Sequence, residues 1–341
     1  MSSKRFYILV FFLALVVCGF GQQDPQYTQH MYTILPINPG FAGSSGICAS
    51  VHYRQQWAGF VDRDTNGEVL GKTAPRDAMF TINAPLGKKK KHGIGLTFYN
   101  DAYGYQTDNT VKIAYAYRLN VKGGVLSFGP GIDMLSRTVQ TDKWRYNPEH
   151  SDPTTINMIG ESDMYFGCSF GAYYEMQDKW YVGVSATQIY TYGGTKMLQQ
   201  AVPHLYFLGG YSFALPANPN WTFKPCALLK MDNFKTIPQI DLTFIAEWQE
   251  MFWVGASYRG VDAVAILGGT RPFVNSSVAP LRGLEAIISY DITTSKLMRY
   301  GRSFGGPEVS IKYCFRIVTK PPTEAYRNTI KLGNIPIEYR R

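Results

Sequence analysis

Residues 111–119 read Val111-Lys112-Ile113-Ala114-Tyr115-Ala116-Tyr117-Arg118-Leu119. The odd positions are apolar or aromatic, and the even ones are charged or small. A β-strand turns successive side chains to opposite faces, so this stretch predicts a strand with one greasy face and one polar face. The pattern recurs. Ile240, Leu242, Phe244, Ala246 and Trp248 alternate with Asp241, Thr243 and Glu247. Leu284, Ala286, Ile288 and Tyr290 alternate with Glu285, Ser289 and Asp291. Trp180, Val182, Val184 and Ala186 alternate with Gly183, Ser185 and Thr187. About fourteen such segments fill residues 46–316, with boundaries good to a few residues.

Two architectures present such strands. A soluble sandwich turns the polar face to water, whereas a membrane barrel turns the apolar face to lipid and the polar face to its lumen. Connection lengths separate them, because bacterial barrels pair short periplasmic turns with longer outer loops. Here the odd-numbered connections include the long ones, 58–72, 101–108, 139–162, 191–202 and 293–304. The even-numbered ones, 86–91, 121–123, 177–178, 215–219 and 249–250, are short. The exceptions are 232–235 and 260–261, which are short, and 272–282, which is long. The alternation supports an all-β transmembrane barrel, antiparallel, with both ends in the periplasm.

Composition agrees. Aromatic residues make up 15% of the 341 and charged residues only 17%, against about 25% charged in an ordinary soluble chain. Mean hydropathy is slightly negative, which excludes a bundle of spanning helices. Residues 1–21 predict a signal peptide: Lys4 and Arg5 precede the apolar run Phe6 to Phe20, and the small residues Gly19 and Gly21 precede Gln22. Cys18 offers a lipoprotein reading as the lesser alternative, weakened because the bulky Val17 stands where a small residue is wanted. After Gly21 no apolar stretch reaches the ~20 residues of a spanning helix. A closed barrel is then the only way to cross a bilayer.

The organisation expected is a signal peptide over 1–21, an N-terminal periplasmic or plug segment over 22–45, an outer-membrane barrel over 46–316, and a basic periplasmic tail over 317–341. Pro25, Pro36 and Pro39 keep residues 24–43 out of the wall. Tyr27, His30, Met31 and Tyr32 give that segment apolar surface to pack, in the lumen or across the periplasmic mouth. Cys48, Cys168, Cys226 and Cys314 are widely spaced and sit in strand-like segments, so they read as small buried or lipid-facing residues rather than as a disulfide framework. Arg54, Lys112, Arg118, Asp241, Glu247, Glu285, Asp291 and Lys312 fall on the inward face, and their mixed signs predict ion pairs that fill the barrel. Asp241 and Glu247 are six residues apart, roughly 20 Å along a strand, too far for joint acid–base work. No GxSxG, HExxH or phosphate-binding glycine loop occurs.

The formal net charge is +9. The basic residues cluster in short turns and at the C-terminus, which argues against nucleic-acid binding. Lys88, Lys89, Lys90 and Lys91 form one run, in a turn expected on the periplasmic side. Beyond Phe315, Arg316, Lys320, Arg327, Lys331, Arg340 and Arg341 face only Glu324 and Glu338, and Pro321-Pro322 stiffens the exit. The tail and the lysine turn are the candidate partner-binding residues, for an acidic partner or lipid head groups.

Gln23-Asp24-Pro25-Gln26-Tyr27-Thr28-Gln29-His30-Met31-Tyr32 leads into Ile37-Asn38-Pro39-Gly40-Phe41-Ala42-Gly43. Next come Tyr53-Arg54-Gln55-Gln56-Trp57-Ala58-Gly59-Phe60, Asn83-Ala84-Pro85-Leu86, and Gly95-Leu96-Thr97-Phe98-Tyr99-Asn100-Asp101. Later stand Phe252-Trp253-Val254-Gly255-Ala256-Ser257-Tyr258-Arg259 and Ser289-Tyr290-Asp291-Ile292-Thr293-Thr294-Ser295-Lys296-Leu297. In order and number these blocks resemble the PorP/SprF family of the Bacteroidetes type IX secretion and gliding apparatus. The resemblance covers about residues 22–316. It implies an outer-membrane barrel with no catalytic residues and no cofactor or metal. Its implied partners are outer-membrane lipid, the periplasmic ring lipoprotein with its associated ring protein, and, for some members, the C-terminal domain of a secreted surface adhesin. The long first loop, Val61 to Lys72, and the charged tail depart from shorter and adhesin-associated members. Both tilt the expectation toward a component of the secretion machine. Anchoring an adhesin is the alternative, resting on the loops 101–108, 139–162 and 293–304. Transport of a hydrophobic solute past the inward aromatics Tyr99, Tyr165 and Tyr173 is a second one.

Overall fold

A computed structural model describes residues 26–63, 66–71, 73–140, 162–176, 179–194, 202–232, 238–260, 262–276, 278–294 and 303–315. Residues 1–21 and 317–341, including Lys320, Arg327, Lys331, Arg340 and Arg341, lie outside the described residues. No helix among the described residues is long and apolar enough to cross a membrane.

Fourteen strands form the wall: β1 (Ile47–Gln55), β2 (Arg76–Leu86), β3 (His92–Tyr103), β4 (Gln106–Val121), β5 (Gly124–Val139), β6 (Ser162–Met176), β7 (Trp180–Gly193), β8 (His204–Tyr211), β9 (Asn218–Asp232), β10 (Gln239–Trp248), β11 (Phe252–Arg259), β12 (Ala263–Thr270), β13 (Leu284–Thr293) and β14 (Gly306–Phe315). Each pairs antiparallel with its sequence neighbour, and β1 also pairs with β14, so the sheet closes on itself. Closure leaves no free edge in a medium that offers no hydrogen bonds. A small hairpin, Asp62–Arg63 with Val69–Gly71, decorates the β1–β2 connection.

Alternation sorts the side chains as the residues predict. On the outside Ile113, Leu242, Val254, Ile266, Ile288 and Ile311 are half-exposed or more. On the inside Lys112, Asp241, Thr243, Glu247, Ser289 and Asp291 are buried. An apolar belt of this extent far exceeds the few hundred Å² a soluble monomer exposes. It is the surface that meets lipid.

Two expectations need correcting. The connection placed at 101–108 is not a long loop. β3 and β4 run on to Tyr103 and Gln106, and only Gly104 and Tyr105 turn between them. Gly104 takes φ +59°, which its missing side chain permits. The polar residues Asp101, Thr107 and Asp108 hid the strand ends, because paired backbone tolerates them at a wall's rim. The cysteine reading also fails in part, since Cys48 and Cys314 are disulfide-bonded. They stand directly opposite each other across the β1–β14 seam, 266 residues apart in sequence. Spacing along the chain carries no trace of that pairing. Cys168, exposed, and Cys226, buried, are free.

Candidate functional site in the barrel lumen

Residues 26–46 thread the interior of the barrel. Thr28, Gln29, Asn38 and Ala42 are almost wholly buried there. Prolines prevent this segment from joining the wall, and its backbone polar groups must find partners on the inward face. They do so at three levels.

At one level a charged clasp holds the segment. The Glu308 carboxylate accepts from the backbone N–H of Thr28 and of Gln29, both at 2.9 Å. Arg54 Nη2 lies 2.7 Å from Asp291 Oδ2, and its Nε 3.6 Å from Glu308. Arg259 Nη1 reaches the same Asp291 oxygen at 3.1 Å, and its Nη2 donates to Thr28 Oγ1 at 3.0 Å. The Thr28 hydroxyl donates to Asp291 Oδ1. Two arginines and two carboxylates thus share one buried site with the threading chain. His30 is buried beside it.

At mid-depth the contacts are apolar. Ile34 packs with Tyr173, Tyr206, Leu208 and Leu228. Met31 and Tyr32 pack against Ile245, Trp253, Leu267 and Ile287. Leu35 lies on Ala114 and Ala116, where small residues make room.

At the other level a single 3-10 turn, Pro39–Phe41, is capped by Asn38, whose Oδ1 accepts from Gly40 N at 2.9 Å. Asn38 Nδ2 donates to Ala172 O at 3.0 Å, Ser185 Oγ to Ile37 O at 2.6 Å, and Lys112 Nζ to Pro36 O at 3.2 Å. Gly43 N donates to Asn83 Oδ1. Glycines on the wall admit this turn. A Cβ at Gly93 would sit on the Ala42 carbonyl oxygen, and one at Gly171 on Asn38 Oδ1. Gly93→Val should therefore lower barrel stability by about 1–3 kcal/mol through overpacking. Ile94→Val, on the lipid side of the same strand, should stay within about 0.5 kcal/mol of wild type. Urea unfolding in detergent measures both.

Other inward charges form ion pairs, whereas Arg118 donates to the Lys90 carbonyl at 3.4 Å and Asp133 accepts from the Ser169 hydroxyl. Arg271 lies 2.7 Å from Glu285 and 3.8 Å from Glu247, Lys224 2.9 Å from Glu247, and Lys312 3.7 Å from Glu285. Arg137 chelates Asp108, with Nη2 at 2.7 Å from Oδ2. Asp241 faces Arg259 at 3.8 Å, so it and Glu247 belong to different ion pairs. Among the described residues no group of three or more His, Cys, Asp or Glu side chains converges as a metal would need.

A family model described as "Type IX secretion system membrane protein PorP/SprF" matches residues 19–313. The chain belongs to the PorP/SprF family. This is an outer-membrane barrel of the type IX secretion family, and its partners are, in general, the membrane and that secretion system. A search of curated proteins matches none. Among solved structures the chain is similar to the P. putida toluene transporter TodX, with 10% identity over 82% of this chain and 93% of that one, TM-score 0.46. It is also similar to the Acinetobacter baumannii outer membrane protein Omp33, with 11% identity over 80% and 99%, TM-score 0.42, and to KdgM porin, with 10% identity over 78% and 99%, TM-score 0.36. These likenesses concern the barrel alone.

For this PorP/SprF member the partner-binding candidates and the lumen are separate places. Lys88, Lys89, Lys90 and Lys91 are exposed in the turn between β2 and β3, just beyond the Pro85 and Gly93 backbone against which Gly43 of the threading segment packs. Lys122 and Lys179 are exposed in the next two turns on the same end, β4–β5 and β6–β7. Reading the sequence missed Arg259 and Glu308, which hold the clasp. The signal for both was present. Tyr258 and Val309 alternate outward, which turns their neighbours Arg259 and Glu308 inward.

Proposed function

We propose that this chain is a non-enzymatic scaffold of the type IX secretion and gliding machinery, which fastens the outer membrane to the periplasmic ring lipoprotein and its associated ring protein. One observation carries the reading: the lumen is occupied by the chain's own residues 26–46, held by a charged clasp, an apolar belt and a capped turn. A solute crossing the barrel would have to pass this segment, so we assign the work of the barrel to its two rims. The exposed lysines Lys88–Lys91, Lys122 and Lys179 gather on the short-turn rim, the rim where β14 ends at Phe315 and hands over to the basic tail. A basic rim with a basic tail suits an acidic partner or anionic head groups.

Affinity purification from native membranes tests the reading. The full chain should bring down the ring proteins, and a chain lacking 317–341 should lose them while its barrel still folds. Undiminished recovery without the tail removes the tail from the function. Recovery of a secreted adhesin C-terminal domain in place of the ring proteins favours the anchoring role.

A further inference from the structure

The path of the threading segment has a direction. β1 begins at Ile47 beside Phe315, the last residue of β14, so both lie at the short-turn end. Going backwards from Ile47, Ser45 and Gly43 bond to Asn83, near the short-turn end of β2. Ala42 abuts Gly93, the second residue of β3, at the same end. Asn38 sits on Ala172, in the last third of β6. Ile34 reaches Leu208, midway along β8, and Leu228, two-thirds of the way along β9 from its short-turn end. Thr28 and Gln29 bond to Glu308, the third residue of β14, and Thr28 shares Asp291 with Arg54, the next-to-last residue of β1. Tyr27 packs with Met79 and Tyr99 of β2 and β3. Gln26 exchanges side-chain hydrogen bonds of 3.1 and 3.2 Å with Gln239, the first residue of β10. Gln239 and Glu308 both lie where the odd-numbered connections join the wall. The segment has crossed the whole barrel.

We infer that the polypeptide enters this barrel through its long-connection mouth, so that the chain before Gln26 and the chain after Phe315 lie on opposite sides of the outer membrane. Fourteen wall crossings return a chain to the side where it began. One further crossing through the lumen makes the number odd. Thr28, Gln29, Asn38 and Ala42 are almost wholly buried along that path, so a returning chain would have to share the lumen with them. Placing both ends in the periplasm, as connection lengths alone suggest, leaves the N-terminal segment to pack in the lumen or across the periplasmic mouth; the Glu308 and Gln239 contacts carry it on to the far mouth. The naming of the sides rests on the proposed orientation, with short turns in the periplasm. The long-connection face then carries a chain end as well as loops. The 56–75 and 294–305 connections are stitched together there by Ala58 N to Gly305 O at 2.7 Å and Phe304 N to Ala58 O at 2.8 Å. A surface partner that docks on this face meets both.

The test is cysteine accessibility in the full chain, in native outer membranes, in a Cys168→Ser/Cys226→Ser background. Asp24→Cys reports the incoming chain, Glu68→Cys the long-connection end and Lys89→Cys the short-turn end. A membrane-impermeant maleimide is applied to intact and to permeabilised cells. The expected result is that Asp24→Cys labels on intact cells as fully as Glu68→Cys, while Lys89→Cys labels only after permeabilisation. If Asp24→Cys follows Lys89→Cys, the inference is overturned. If it labels only after denaturation, the chain does not emerge and the inference is equally lost. If Lys89→Cys labels on intact cells and the other two together do not, the orientation reading fails while the opposite-sides inference stands.

Discussion

Arg54→Leu is expected to cost the barrel about 3–5 kcal/mol, the range for removing one partner from a buried charged group. Arg54 is 1% exposed and is shared by Asp291 and Glu308. Its loss leaves two carboxylates against one remaining arginine, Arg259, 3.1 Å from Asp291. Those same carboxylates hold the Thr28 and Gln29 backbone, so the damage should spread to the threading segment. Two measurements separate these effects. The urea midpoint in detergent micelles should fall, and protease should cleave near Thr28 in the variant under conditions where it spares the wild type. A midpoint unchanged within error would show that the clasp contributes nothing to holding the segment.

Ile288→Arg should cost about 2–4 kcal/mol when the protein folds into lipid vesicles, the range for arginine at the bilayer midplane. Ile288 is 63% exposed and sits midway along β13, between Gly268 of β12 and Val309 of β14. No water reaches it there if the belt lies in lipid. Tyr192→Arg makes the comparison, because Tyr192 is 72% exposed at the long-connection end of β7, where the cost falls to about 0–1 kcal/mol. Equal costs at the two positions would mean that the apolar face is not embedded in hydrocarbon.

Most of the wall was legible in the sequence because its code is local. Tyr115 and Tyr117 face outward and Ala114 and Ala116 inward for no reason beyond period two, and a nine-residue stretch suffices to see it. The same rule sent Arg54, Asp241, Glu247, Glu285 and Asp291 inward, where their burial now stands. The mixed signs that predicted ion pairs were also local information. Legibility stopped at strand ends, where Asp101 and Asp108 look like loop residues yet pair with each other in the β3–β4 ladder.

What the sequence determined by itself, then, is the approximate number of strands and the face each residue takes, which follow from alternation, and the medium on either side, which took the connection lengths and the exported, helix-poor character of the chain besides. Tertiary structure alone decided which strands close the ring, hence the Cys48–Cys314 bond, and which carboxylate serves which arginine. It also decided the route of residues 26–46 through the interior. The physical reason is common to all three. Period two says which way a side chain points but nothing about what stands opposite, and opposite partners such as Thr28 and Glu308, 280 positions apart, are brought together only when the sheet closes.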